Sequence, residues 1–268
     1  MTCSSGHVQP GGPATARFGP RLAEERRRDL AGAYLSGAGR YDRVRPGYPA
    51  VVADWIIPDD ARRAADLGAG TGLFTELLVE RGVAVTAVDP SEDMLAVLAG
   101  RLPGVPAVRG TAEESHLQHA SLDLLTLAQA WHWCDHTATV REAARVLKPA
   151  GRLALLWNQL DVSIPWVHRL SRIMHAGDVF SPSYRPVFGP AFDTPEDLVV
   201  HWVQELDVPG VLDLARSRSY YQRAAPALRD RVEANLTWYL TDYLAFAPDA
   251  SLRLPYYTHA WRAPLRST

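Results

Sequence analysis

The run Ala65-Asp66-Leu67-Gly68-Ala69-Gly70-Thr71-Gly72-Leu73 constrains this chain more than any other stretch. An apolar approach, alternating glycines and a resumed helical pattern read as a buried strand, a tight turn and a helix start. Glycines at such a turn let bare backbone approach a ligand, and the first amides of the helix face the same space. Val88-Asp89-Pro90 then ends the next strand on a carboxylate, an acceptor suited to a pair of ribose hydroxyls. A dinucleotide fingerprint requires a small residue where Leu73 stands, so that ligand class is disfavoured. Asp66, an anion entering the loop, repels a pyrophosphate and attracts a cation. The loop therefore points to a nucleoside ligand with a cationic group.

The surrounding pattern supports this placement. Strands are expected near residues 64–67, 84–88, 106–108, 123–128 and 152–157, and helices near 72–81, 92–99 and 137–147. Gly82 and Gly100 stand where helix C-caps belong, and Ser91-Glu92-Asp93 is a helix start. Strand–helix alternation implies a parallel, doubly wound α/β sheet with right-handed crossovers and ligands at the carboxyl ends of its strands. Residues 1–20 read as a disordered leader and 21–62 as an N-terminal helical lid segment, with a helix over Leu22 to Leu35. Residues 63–157 are the cofactor-binding core. Residues 158–200, with a helix from Ile164 to His175 and four prolines after it, read as a cap over the active site, and 201–268 as the completion of the sheet.

Composition narrows the function classes. At 268 residues and 47% hydrophobic the chain can bury a large core, and a formal charge of −2 argues against a protein that neutralises phosphates for a living. No nucleic-acid partner is expected. Two cysteines, Cys3 and Cys134, cannot form a disulfide framework, which suits a reducing cytoplasm. The opening residues show no charged start followed by an apolar stretch. No apolar run approaches the ~18 residues of a membrane span, so a cytoplasmic protein without membrane contact is expected.

The motif Asp66-Leu67-Gly68-Ala69-Gly70-Thr71-Gly72 resembles the first motif of the class I S-adenosylmethionine-dependent methyltransferases. Gly110-Thr111-Ala112-Glu113, the run from Asp123 to Trp133, and Arg145-Val146-Leu147-Lys148-Pro149-Ala150-Gly151 follow in that family's order. Ala128-Gln129-Ala130-Trp131-His132-Trp133, with Arg45-Pro46-Gly47-Tyr48-Pro49 upstream, is similar to the small-molecule subgroup that includes trans-aconitate methyltransferases. The resemblance covers roughly residues 40 to 160. It implies a Rossmann-like seven-stranded sheet, mostly parallel with an antiparallel last strand, and S-adenosylmethionine as cofactor. Gly68, Ala69 and Gly70 would face the methionine portion, Asp66 the ammonium, Asp89 with Pro90 the ribose, and Met94 the adenine. Thr111 stands where relatives have an acid, which leaves adenine recognition to the Thr111 hydroxyl or to the Ala112 and Glu113 backbone. Ala128 and Gln129 complete the cofactor contacts, and Tyr41, Arg45 and Tyr48 fold over the cofactor carboxylate and the acceptor.

On the acceptor side the residues leave alternatives open. His132 is a general base, its imidazole titrating near neutrality, or a residue that only shapes the pocket. Trp131 and Trp133 shield the sulfonium, or one of them is core. Trp157 and Asn158 line the acceptor pocket. His168, Arg172 and His175 share a helix face that turns to the cleft or to solvent, and Arg45 binds a ligand or a surface acid. His132, Cys134, Asp135 and His136 crowd together without the spacing of a zinc site, so no metal is expected. Amino-methyltransferases of nucleic acids resemble one another in an Asn- or Asp-Pro-Pro-aromatic run where this chain has Ala128-Gln129-Ala130-Trp131. The leading expectation is methyl transfer to an oxygen, nitrogen or activated carbon of a small molecule, by a monomer or homodimer. RNA or protein methylation, and cofactor binding without transfer, are the alternatives.

Overall fold

The computed structural model describes residues 44–174, 184–247 and 249–266. The leader, the helix expected over Leu22 to Leu35, Tyr41 and His175 lie outside the described residues.

Seven strands form one sheet in the order β3-β2-β1-β4-β5-β7-β6. They are β1 (Arg63–Leu67), β2 (Ala84–Asp89), β3 (Ala107–Arg109), β4 (Leu122–Ala128), β5 (Leu147–Leu160), β6 (Glu196–Leu206) and β7 (Leu252–Pro264). β1 pairs in parallel with β2 on one side and β4 on the other. β7 runs antiparallel to both β5 and β6 and is the reversed strand expected from the sequence. The chain winds outward from β1 to β3 and then returns to β4, so a crevice opens at the carboxyl ends of β1 and β4.

Local chemistry explains the helices that flank the crevice. α1 (Ala50–Ile56) precedes β1, and α2 (Leu73–Glu80) starts directly after Gly72. α3 (Glu92–Arg101) is capped by Ser91, whose hydroxyl accepts from the Met94 amide at 3.3 Å, with Glu92 and Asp93 in its first turn. α4 (His136–Val146) is capped by Asp135, which accepts from the Ala138 amide at 2.9 Å. Ala150 sits at φ 61 within β5, where the pairing with β4 shifts register between Leu147 and Arg152.

The C-terminal half departs from the expected boundaries. β5 continues to Leu160 and β6 begins at Glu196, so residues 158–160 and 196–200 belong to the sheet. α5 (Pro165–Ile173), α6 (Val208–Arg216), α7 (Ser219–Arg223) and α8 (Pro226–Trp238) follow, and a π turn (Tyr239–Tyr243) continues α8. Val167, Leu170, Val211, Leu214, Val232 and Leu236 share a second apolar core. That core extends onto Leu160, Leu254 and Tyr256 at the carboxyl end of β5 and the start of β7. The helices before and after β6 thus form one cluster over that corner of the sheet. No helix of the described residues is long and apolar enough to cross a membrane.

Candidate cofactor and acceptor site

A cavity of about 340 Å³ opens at the carboxyl ends of β1, β2, β4 and β5, within the usual range for a small-molecule site. Its floor is the glycine turn. Gly68 has φ +68, and a Cβ there would meet the Ala130 Cβ at 2.5 Å, so no side chain fits. Gly70 has φ +56, and a Cβ there would meet nothing within 4 Å. Its bare backbone borders open space, as a ligand-cradling turn requires.

Two buried acids flank this turn. Asp66 Oδ2 accepts from the Thr75 hydroxyl and Oδ1 from the Thr126 hydroxyl, each at 2.8 Å. Burial, resisted by those two hydrogen bonds and reinforced by the nearby Asp89 charge, raises its pKa to about 6. Asp89 Oδ2 accepts from the Gly70 amide at 2.9 Å and Oδ1 from the Ser91 amide at 2.8 Å. Burial raises its pKa as well, against those two backbone bonds. Each carboxylate oxygen retains a further lone pair for a ligand.

Pro90, Met94, Thr111, Ala112 and Glu113 line the same cavity, from the ends of β2 and β3 and from α3. Thr111 Oγ1 accepts from the Glu114 amide at 3.2 Å, and the Glu113 carboxylate accepts from the Asp135 amide at 2.7 Å. Ala69, Ala128 and Gln129 line it from the β1 and β4 ends. Gln129 holds φ 57, and its Nε2 donates to the Asn158 carbonyl at 2.8 Å. A strained residue tied to the neighbouring strand is a common feature at functional sites.

Arg45 and Tyr48 close the cavity from the segment before α1. That strap is held by Asn158, whose Nδ2 donates to the Gly47 carbonyl at 2.7 Å. The Asn158 Oδ1 accepts from the Thr258 hydroxyl at 2.6 Å. Asn158 lines the cavity, yet both atoms of its amide are engaged, one with the strap and one with Thr258 on β7. Arg45 Nη2 in turn donates to the Ser217 carbonyl at 2.8 Å.

Four expected acceptor residues fall elsewhere. Trp131 and Trp157 are 0% and 1% exposed and belong to the main core with Trp261. Successive β5 side chains alternate faces, which turns Trp157 into that core and Asn158 toward the strap. His168 and Arg172 do share a face, but α5 presents Val167 and Leu170 to its core. The two polar residues line a separate groove toward α8, with Arg231 and Asn235. In the dense cluster of metal-ligand residue types, Asp135 caps α4 and His136 stacks on Trp131 with ring centroids 4.4 Å apart. Among the described residues no group of three or more His, Cys, Asp or Glu is placed to hold a metal ion.

His132 and Trp133 line the cavity. Residues that sequence reasoning missed join them: Thr71, Gln159, Leu160, Arg218 and Tyr256. Leu160 and Tyr256 are register partners on β5 and β7, and Arg218 follows the end of α6. Thr71 lies within the glycine motif itself, whereas no motif marks the other four positions.

The residues present fit S-adenosylmethionine. An acid beside the glycine turn suits a cation, an acid ending β2 suits a ribose, and the buried Thr71 hydroxyl lacks a protein hydrogen-bond partner while bordering the cavity. The comparisons agree. Residues 65–155 match the family model described as a methyltransferase domain. An uncharacterised methyltransferase of Mycobacterium tuberculosis is 42% identical over 240 residues, spanning 89% of this chain and 98% of that protein. Trans-aconitate 2-methyltransferase of Rhodopseudomonas palustris is 30% identical over 156 residues, 51% of this chain and 58% of that one. In fold, the chain is similar to a protein of Anaeromyxobacter dehalogenans assigned as a type II methyltransferase, with TM-score 0.65 and 24% identity over 84% of this chain and 99% of that one. On the glycine turn, its two acids, the sheet order and these likenesses, the chain belongs to the class I S-adenosylmethionine-dependent methyltransferases.

Proposed function

We propose that this protein transfers the methyl group of S-adenosylmethionine to a small-molecule acceptor. The observation that carries the reading is the cavity of about 340 Å³, in which the glycine turn, Asp66 and Asp89 share one space with His132, Arg218 and Tyr256. The kinship to a trans-aconitate methyltransferase supports an acceptor of metabolite size.

The cofactor supplies an electrophilic methyl group on a sulfonium. Asp66 would hold its ammonium and Asp89 its ribose hydroxyls, each through the lone pairs left by the protein's own hydrogen bonds. The strap carrying Arg45 and Tyr48 excludes water, and the cavity walls set the line of approach; positioning of this kind supplies most of what methyl transfer needs.

His132 acts as a hydrogen-bond donor. The Trp157 indole, which can only donate, reaches His132 Nδ1 at 3.4 Å. A neutral His132 therefore carries its proton on Nε2, and what it offers an acceptor is an N–H. A general base would need a free lone pair there. His132→Gln, which keeps a donor, should retain turnover within about fivefold, whereas loss of a true base costs about 100-fold or more.

Incubation with methyl-deuterated S-adenosylmethionine and separated metabolite, RNA and protein fractions tests the acceptor class. Label in a small molecule is the expected outcome. Label confined to RNA or protein would contradict it.

A further inference from the structure

The cavity is electrically polar along the sheet. Asp89 ends β2 and Asp66 lies on β1, whereas Tyr256 lies on β7. With β4 and β5 between β1 and β7, three strand spacings, about 14 Å, separate the two strands across the sheet, and Tyr256 pairs with Leu160, well beyond the Ala154 that aligns with Asp66 through Thr126. Arg45 and Arg218 line the cavity with Tyr256, and the Arg45 bond to the Ser217 carbonyl holds the strap against the turn that carries Arg218.

Tyr256 is 2% exposed and its ring stacks on Trp202 at 5.1 Å, which fixes the direction of the hydroxyl. The hydroxyl has no hydrogen bond of normal geometry to the protein. Burial raises its pKa, and the charges of Arg218 and Arg45 offset part of that rise. Both neighbours are pure donors, since a guanidinium has no acceptor atom. The phenol can accept from them, but its own proton has nowhere to go until an acceptor oxygen enters the cavity. Two guanidinium groups beside such a phenol select an oxygen that is anionic.

We infer that Arg218 and Tyr256, with Arg45, form a subsite that binds a carboxylate of the methyl acceptor, so that the substrate is a small carboxylic acid. The inference rests on the methyltransferase reading of the cavity. Arg218 and Tyr256 lie outside residues 65–155, which match the family model, so the subsite is a feature of this chain's C-terminal elements. The cofactor has a carboxylate of its own, but it shares a carbon with the ammonium. An ammonium at Asp66 keeps that carboxylate near β1, and Tyr256 is three strands away.

Calorimetry on the full-length protein tests this. Saturated with S-adenosylhomocysteine, it is titrated with succinate, hexanoate and benzoate, each matched by its primary amide. At least one acid should bind about tenfold or more tighter than its amide, and Arg218→Met and Tyr256→Phe should each abolish that preference. The Tyr256 variant removes one oxygen and guards against a folding defect in the first. Equal binding of acids and amides, no binding of any acid, or a preference that survives both variants would overturn the inference. S-adenosylhomocysteine and methylthioadenosine, which lacks the amino-acid part, separate the two carboxylate sources. Arg218→Met should leave both affinities within about twofold. A tenfold loss for S-adenosylhomocysteine alone would assign the subsite to the cofactor and overturn the acceptor reading. Failure of the wild type to bind S-adenosylhomocysteine would instead remove the methyltransferase reading, and this inference with it.

Discussion

Asp66 and Glu142 are both buried acids within the same α/β core, and the chain treats them in opposite ways. Glu142, on α4, receives Arg145 at 2.7 Å and both the amide and hydroxyl of Ser115. Its pKa falls to about 2, with the Arg145 hydrogen bond as the largest cause. Asp66 receives two threonine hydroxyls, and no cation among the described residues reaches it, so its pKa rises to about 6. A buried acid given an arginine is a finished structural joint; here it pins the loop after β3 to α4. A buried acid left without a cation costs stability, and under the proposed function its location beside the glycine turn is where a ligand's cation would complete it.

The comparison breaks first at the ligand. Asp89→Ala should weaken S-adenosylhomocysteine binding by about 100-fold while the circular dichroism spectrum stays that of the wild type. An unchanged affinity would remove the ribose assignment. Asp66→Asn should move two quantities in opposite directions. Affinity should fall by about tenfold or more, whereas the ligand-free protein at pH 7.5 should gain about 1–2 kcal/mol in urea unfolding, because a buried charge has gone. Glu142→Gln should do the reverse, losing about 2–3 kcal/mol of stability with S-adenosylhomocysteine affinity within about twofold. If both variants shift both quantities alike, the distinction between the two acids fails.

The pH dependence sharpens the same contrast. Asp66 has a folded pKa of about 6 against an ordinary 3.8, so the folded protein holds a proton that the unfolded chain has released. This group makes the ligand-free protein less stable as pH rises through that window. Glu142 has a folded pKa of about 2 against 4.5. Its contribution is complete above pH 4.5 and is lost as pH falls toward 2. For binding, S-adenosylhomocysteine affinity should decline below pH 6 as Asp66 protonates, and more steeply than that of methylthioadenosine, which lacks the ammonium. The smallest effect is expected at Asn158→Ala. Freeing the strap at Gly47 should raise the S-adenosylhomocysteine dissociation constant by about three- to tenfold.

Much of the glycine-turn side of the cavity was legible in the sequence, because backbone geometry dictates residue type there. Gly68 tolerates no side chain and Gly70 borders open space, so the turn declares itself. Asp66 and Asp89 follow from strand ends on either side of it. The acceptor side was less legible for two physical reasons. Trp131, Trp157, His168 and Arg172 were read by residue type and spacing, and neither reports which face of an element the core claims. The stripe of Val167 and Leu170 decides the orientation of α5, and it turns His168 and Arg172 away from the cavity. Arg218 arrives from the turn between α6 and α7, and Tyr256 reaches the cavity only because β7 inserts antiparallel between β5 and β6. That pairing joins residues distant in sequence and leaves no local signature. Asn158 lines the cavity, and its hydrogen bonds to the strap and to Thr258 show it holding the cavity wall.

The central claim is that Asp66 is a buried acid awaiting a ligand's cation, and carboxyl-carbon NMR of Asp66 across pH measures it directly. The ligand-free protein should titrate near pH 6, and saturation with S-adenosylhomocysteine should lower that value by about two units, since the bound ammonium favours the charged form. An Asp66 titration that does not move on binding would show that no cation sits beside it, and would contradict the account.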